Sequence, residues 1–324
     1  MNLLVTGGAG YVGSIVTEEL LKSGHKVTVL DNLQQGHRKA VSPGAELVVA
    51  DFSNEESLNS IFKRFPVDAV VHMAAETVVE FSVSDPKRYF VNNVAAGITL
   101  LTAMIKHEVK QLIFSSSAAV YGEPQTTPIM EDHATVPVNS YGESKLMFER
   151  ILAWYQRAYG LNYIAFRYFN AAGASESIGE DHRPETHLIP NILTAALLDK
   201  PVSVFGTDYP TRDGSCIRDY VHVLDIAQAH VLALRNITRF GGRIYNVGSQ
   251  EGYSVLEIIA GTEKVTGRRI RRELQPRRAG DPAVLLAGSN RLRTELGWQP
   301  MHSDIEQIIE SAWKWMKRNP KGYE

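Results

Sequence analysis

The chain has 324 residues, comfortable for two lobes, and its 44% hydrophobic residues permit a full interior. A formal charge of −2 removes the general electrostatic case for nucleic-acid binding, and 22% charged residues suit an ordinary soluble surface. Cys216 is the only cysteine, which excludes an intrachain disulfide and makes a reducing, cytoplasmic setting the expectation.

The first residues already read as a strand, leaving no room for a signal peptide, and no apolar run approaches the roughly 20 residues of a membrane helix. Apolar Leu3–Val5 meets glycines at Gly7, Gly8, Gly10 and Gly13. An amphipathic stretch and a second apolar run, Val27–Leu30, follow and end in Asp31. Strand, tight turn, helix and strand in this order predict a dinucleotide-binding unit, whose turn brings backbone N–H groups to a pyrophosphate. The glycines fit both Gly8-x-Gly10-x-x-Gly13 and the wider spacing Gly7, Gly10, Gly13. Asp31 stands where an acid meets the adenosine ribose hydroxyls, and its charge repels a 2′-phosphate, so NAD is favoured over NADP.

Asn32, Leu33, Gln34, Gln35 and Gly36 read as a loop closing over the adenosine. A third strand, Glu46–Ala50, finishes at Asp51, and Ser53 and Asn54 offer an N-cap for a helix to about Phe65. The fourth strand, Asp68–His72, runs into Met73, Ala74 and Ala75, where small residues let backbone approach the cofactor's middle. A helix is predicted from Pro86 to about His107, with Asn92 and Asn93 either on its polar surface or reaching the site. The fifth strand, Gln111–Ser115, opens into Ser116 and Ser117. Ser140 with Glu143 predicts a capping box, and Gly160 the end of the helix that it opens. A sixth strand, Asn162–Phe166, leads to Asn170. Six strands alternating with helices predict an α/β fold, a Rossmann-type doubly wound parallel sheet.

Beyond Ala174 the rhythm changes. The pattern predicts a helix over Asn191–Leu198, a strand over Pro201–Phe205, a helix over Val223–Arg235 and a strand over Arg243–Val247. Ser254 with Glu257 predicts a second capping box, opening a helix that stops before Gly267. Ile305, Ile308, Ile309, Ala312, Trp313 and Met316 form a core-facing stripe on a last helix. Residues 174–324 therefore read as a smaller α/β lobe over the sheet's carboxyl edge. Residues 1–173 read as the dinucleotide domain, with 220–245 returning to it.

Tyr141 and Lys145 lie one helical turn apart on one face, just inside a helix N-terminus. The helix dipole and a lysine ammonium both favour a phenolate, so a lowered proton affinity and a role as general base are expected of Tyr141. The serine cluster Ser115–Ser117 lies at the carboxyl end of the fifth strand, and a serine there is placed to hydrogen-bond a substrate hydroxyl or keto oxygen.

On these residues the chain resembles the extended short-chain dehydrogenase/reductases over essentially its whole length. The resemblance is carried by Thr6-Gly-Gly-Ala-Gly-Tyr-Val-Gly13, Asp31-Asn32, Ser115-Ser-Ser-Ala-Ala-Val-Tyr-Gly122, Tyr141-Gly-Glu-Ser-Lys145 and Arg167-Tyr-Phe-Asn170. Val204-Phe-Gly-Thr-Asp-Tyr-Pro210, Ile217-Arg-Asp-Tyr-Val-His222, Pro276-Arg-Arg-Ala-Gly-Asp281 and Gly322-Tyr323 are similar to the branch that inverts C4 of UDP-hexoses. The resemblance implies that Tyr11, Val12, Asp31 to Gly36, Asp51 and Phe52 hold the pyrophosphate and adenosine side of NAD. Met73 to Ala75, Thr77, Asn92, Lys145 and Phe169 would line the remainder. Asn170, His187, Leu188, Phe205, Arg218, Arg278 and Asp281 would hold the UDP-sugar, with Ser117, Tyr141 and Lys145 catalytic.

The implied activity is reversible conversion of UDP-galactose to UDP-glucose through a 4-keto sugar. Epimerisation of UDP-glucuronate or UDP-N-acetylhexosamines is the alternative, and a non-catalytic NAD-sensing regulator is the rival from another class. A 4,6-dehydratase carries an Asp-Glu pair where Ala118 and Ala119 follow Ser117 here. Thr77 replaces the lysine of some relatives, His187 an asparagine, and Leu285 a tyrosine or cysteine that influences acceptance of acetamido sugars. The family commonly forms dimers through the helices matching Pro86–His107 and Tyr141–Tyr159, so a homodimer is expected. His182 and His187 lie in a loop without a recognisable ligand set, and no metal is expected.

Overall fold

Seven strands, every neighbouring pair parallel, form the main sheet. The computed structural model describes residues 1–278 and 281–324. Ala279 and Gly280, inside the Pro276–Asp281 motif, lie outside the described residues. The strands β1 (Asn2–Thr6), β2 (Lys26–Asp31), β3 (Glu46–Val49), β4 (Ala69–His72), β5 (Gln111–Ser117) and β6 (Asn162–Tyr168) match the six expected. A seventh, Arg243–Val247, pairs with β6, so the order runs Arg243–Val247, β6, β5, β4, β1, β2, β3. Leu3, Leu4 and Val5 are all buried because helices cover both faces, which is why β1 shows an unbroken apolar run rather than alternation. The order reverses between β1 and β4, and in doubly wound sheets ligands bind at that switch point.

One face is covered by the helices Tyr11–Lys22 and Val223–Phe240, the other by Glu55–Arg64, Ala96–Lys106 and Ser140–Tyr159. The chain leaves the sheet after β6 and builds a second layer. Strand Ile217–His222 is its centre, parallel to Asn170–Ala172 and Val284–Leu285 and antiparallel to Gly252–Ser254. Val202–Phe205 pairs separately with Arg272–Gln275. Helices Leu188–Leu198, Val255–Thr266 and Ile305–Arg318 enclose a distinct core, and the predicted stripe from Ile305 to Met316 packs into it. Among the described residues no helix is long and apolar enough to cross a membrane.

Three local expectations are corrected. The helix predicted from Pro86 to His107 is interrupted by a π-helical stretch, Phe90–Ala95, between Pro86–Tyr89 and Ala96–Lys106. That stretch holds Asn93, whose side chain accepts from Glu76 N at 2.8 Å and donates to Glu76 O and Ser144 Oγ, each at 3.0 Å. Such bulges re-aim side chains within a helix. The Ser140–Glu143 capping box does not form. Asn139 is the cap, accepting from Gly142 N at 2.8 Å, and Ser140 Oγ donates instead to the Ser82 carbonyl. Asparagine ranks at least as high as serine at this position, and it comes one residue earlier. The helix expected from Asn191 starts at Leu188, since Pro190 fits a first turn. The Ser254–Glu257 box and the left-handed Gly160 terminator are as predicted.

Candidate active site

Both glycine spacings carry a steric demand: a Cβ at Gly8 would lie 2.9 Å from both Val29 methyls, and Gly7 is constrained more tightly still. Gly7 has φ +73°, and a Cβ there would lie 2.5 Å from Ala74 N; at Gly13 it would lie 2.1 Å from the Gly7 carbonyl oxygen. A Cβ at Gly10 would make only an ordinary contact, 3.4 Å from the Gly7 carbonyl oxygen. The helix that follows starts without a side-chain cap and without an acid in its first turn, leaving its N–H groups available to an anion. This cradle fits the pyrophosphate of NAD. Tyr11 crosses to the other layer and donates from its hydroxyl to Gly173 O at 2.6 Å, while Val12 packs against the core.

Asp31 is buried at the end of β2. It accepts from Ala9 N at 3.0 Å and Leu33 N at 2.8 Å, tying the glycine turn to the Asn32–Gly36 loop. Burial raises its pKa, against those two bonds. Leu33 takes φ +60°, and Gln34 N donates to Asn32 Oδ1. Gln35 and Gly36 complete the loop, with Gly36 close against Ala9. Asn32 Nδ2 donates to Asp51 at 3.1 Å, and Phe52 meets His72 edge-on. Met73, Ala74 and Ala75 follow β4 beside the turn. Thr77 is exposed, and Asn92 donates to Arg88 O at 2.9 Å.

Ser117 ends β5, and Tyr141 and Lys145 lie on the first turns of the helix packed beside it. Lys145 is buried; its Nζ donates to Ser115 O at 2.7 Å and lies 5.9 Å from the Tyr141 ring centroid. Burial lowers the Lys145 pKa to about 7, opposed by the nearby Glu149 carboxylate. The expected lowering at Tyr141 is reversed: burial raises its pKa, and hydrogen bonding with Ser117 only partly offsets this. The cost of desolvating a phenolate exceeds what the Ser117 hydrogen bond returns.

Sequence reasoning missed the support behind this pair. Glu149, one turn after Lys145, is buried and receives Arg167 Nη2 at 2.6 Å, Arg167 Nε at 3.0 Å and Ser116 Oγ at 2.5 Å. Arg167 continues to Tyr121 Oη at 2.9 Å, and Tyr121 donates to Asn246 on the seventh strand at 2.7 Å. The available signal was a second charged residue, Glu149, four positions after Lys145 and so on the same helical face.

In the second layer, Arg218 is largely buried and donates to Pro282 O at 2.8 Å, with Asp281 at 3.5 Å. Arg278 lies over the Phe205 ring, 3.9 Å from its centroid. Leu285 is in register with Arg218 and packs against the cluster containing Phe169 and Ala118, so the lobe reaches the Ser117 turn. Asn170 begins the strand that pairs with Tyr220, and Leu188 begins its helix. His187, expected to meet the UDP-sugar, turns Nδ1 to Glu180 at 2.6 Å and Glu185 at 3.2 Å. The loop's supposed lack of a ligand set is also corrected, because Glu180, His182, Glu185 and His187 converge with ligand atoms within 4.8 Å of one another. Burial opposes charge on both rings, but the carboxylates outweigh it and raise His182 to about 9 and His187 to about 10. Cys216 is buried and its thiol pKa is raised by burial, which suits a core residue.

The model of the NAD dependent epimerase/dehydratase family matches residues 3–248. The chain belongs to that family. Among its members, the UDP-glucose 4-epimerase of Lactobacillus helveticus is 50% identical over 328 residues, covering 100% of this chain and 99% of that one. A solved UDP-glucose 4-epimerase superposes with a TM-score of 0.98 at 44% identity, with all of both chains covered. The Bifidobacterium longum UDP-glucose 4-epimerase, solved with NAD+ and UDP, gives 0.94 at 37% identity over 99% of this chain and 100% of that one. In this epimerase/dehydratase chain, Ala118–Tyr121 forms a short 3₁₀ turn capped by Ser117, and the two positions after the serine carry no carboxylate.

Proposed function

We propose that this chain interconverts UDP-galactose and UDP-glucose by inversion at C4, with NAD retained throughout turnover. The observation that carries the reading is the meeting of Ser117, Tyr141 and Lys145 at the sheet's carboxyl edge, beneath a lobe bearing Arg218 and Arg278. Full-length likeness to UDP-glucose 4-epimerases supports it. Residues 1–173, joined by 220–245, hold NAD, and residues 174–324 hold the UDP-sugar.

Gly7, Gly10, Tyr11, Val12 and Gly13 hold the pyrophosphate. Asp31 to Gly36, Asp51 and Phe52 hold the adenosine, and Met73 to Ala75, Thr77, Asn92, Lys145 and Phe169 line the remainder. Bound NAD supplies the chemistry of accepting a hydride from C4 and returning it to the opposite face. Tyr141 takes the proton of the C4 hydroxyl and gives it back, while Ser117 hydrogen-bonds that oxygen. Lys145 holds the nicotinamide ribose and favours the Tyr141 phenolate. Arg218 and Arg278 suit a diphosphate, because guanidinium makes paired, charge-assisted hydrogen bonds. With Asn170, His187, Leu188, Phe205 and Asp281 they anchor UDP while the 4-keto sugar turns.

Ala118 and Ala119 weigh against dehydration, which needs an acid and a base beside the sugar. Incubation with UDP-galactose and UDP-N-acetylgalactosamine side by side, read by chromatography, tests the proposal. UDP-glucose is the expected product from the first. A 4-keto-6-deoxy sugar would replace epimerase by dehydratase, and unchanged UDP-galactose would overturn the reading. The second substrate reports whether the space at Leu285 admits an acetamido group.

The proposed setting is the cytoplasm, and the proposed assembly a homodimer. Val83, Val91 and Trp154 are 72%, 50% and 65% exposed, on the segment before Pro86, on the interrupted helix and on the Tyr141 helix. Met147 and Ile151 are partly covered, and Leu146 and Leu152 are buried in the chain's own core. A second copy laid on these helices would cover the exposed set. Trp154→Glu is expected to shift the sedimentation coefficient to that of a monomer; an unchanged dimer would remove this face as the interface.

A further inference from the structure

We propose that Glu180, His182, Glu185 and His187 form a tetrahedral site for a divalent transition cation of the zinc class, latching the loop between Gly173 and helix Leu188–Leu198. Glu180 Oε1 meets His187 Nδ1 at 2.6 Å and His182 Nδ1 at 3.0 Å, Glu185 Oε2 meets His182 Nδ1 at 3.8 Å, and the four ligand atoms all lie within 4.8 Å of one another. Metal–ligand bonds of about 2.0–2.1 Å place tetrahedral ligands roughly 3.3 Å apart, and these three distances straddle that edge. Two imidazoles with two carboxylates select zinc-like ions over calcium or magnesium, which take oxygen ligands. The two carboxylates also neutralise a divalent charge.

The ligands are held from behind. Glu185 Oε1 accepts from Thr186 N and His187 N, both at 2.8 Å, which leaves its other oxygen for the centre. Between the ligands, Asp181 is fixed by Tyr323 N at 3.0 Å, and its carbonyl meets His37 Nε2 at 2.8 Å. The His182 ring meets Tyr11 edge-on at 6.1 Å, so the site abuts the glycine turn. Coordination through His187 Nδ1 leaves Nε2 unligated on a half-exposed side chain, compatible with the role given to His187 above. Outer contacts of this kind orient ligands and tune affinity.

The NAD-loaded protein, treated with a chelator and then titrated with CoCl2 near neutral pH, tests the site. The intense visible bands of tetrahedral cobalt should saturate at one equivalent per chain and be displaced by ZnCl2. His182→Gln and Glu185→Gln, with folding checked by circular dichroism, should each weaken binding by more than the about 10–100-fold that loss of an outer contact causes. Absence of the bands, or bands that persist equally in both variants, would overturn the proposal. X-ray absorption at the zinc edge gives a reading without substitutions. Two imidazole nitrogens and two oxygens are expected, and any other ligand set would exclude this site.

Discussion

Tyr141→Phe is expected to lower kcat for UDP-galactose by about 10²–10⁴-fold while leaving NAD bound. The substitution removes one oxygen and little else. The Tyr141 ring meets Tyr89 edge-on at 6.4 Å and lies beneath the Lys145 ammonium, and phenylalanine keeps both contacts. Ser117 loses the partner of its hydroxyl but still accepts from Ala119 N at 3.1 Å, so its turn remains capped. The glycine cradle and Asp31 are untouched, which is why cofactor content is the control. Nucleotide absorbance after denaturation should match the parent, and KM should move far less than kcat. Near-normal turnover would remove Tyr141 as the base.

How much of this site was legible before folding depends on the distance over which each signal acts. The β1 turn, the Ser254 box and the Tyr141–Lys145 spacing are local, so neighbouring residues were enough to place them. The direction of the Tyr141 shift was missed because spacing shows the lysine and the dipole but not the burial that outweighs them. The π-helical stretch at Phe90–Ala95 was hidden for a similar reason. Asn93 is satisfied by Glu76 and Ser144, partners on two other segments. The Glu180–His187 cluster follows no helical or strand period, and only the loop's path brings its ligands together. Strand Ile217–His222 was met as a motif rather than as an element. Its pairing with three separate strands then makes it the axis of the second layer.

Glu149→Gln should cost stability and change the pH dependence of turnover, and a double variant separates the two effects. Glu149 and Arg167 are nearly solvent-free, with side chains 2% and 5% exposed. Loss of the carboxylate leaves a buried guanidinium without its counter-charge, a defect worth about 3–5 kcal/mol. Burial lowers and Glu149 raises the pKa of Arg167, with the pair and a smaller contribution from Tyr121 prevailing. The same carboxylate raises Lys145 against the burial that lowers it to about 7. Without Glu149, Lys145 discharges at lower pH, so the limb on which activity falls as pH rises should move toward acid. Glu149→Gln with Arg167→Met removes the stranded charge and should recover much of the lost Tm. It returns no carboxylate to Lys145 but also removes the Arg167 positive charge, so a limb displaced by less than in the single variant should persist. A profile that returns to the parent's when stability is regained would make the pair purely structural. A displaced limb in both variants would assign Glu149 the positioning of charge behind Tyr141.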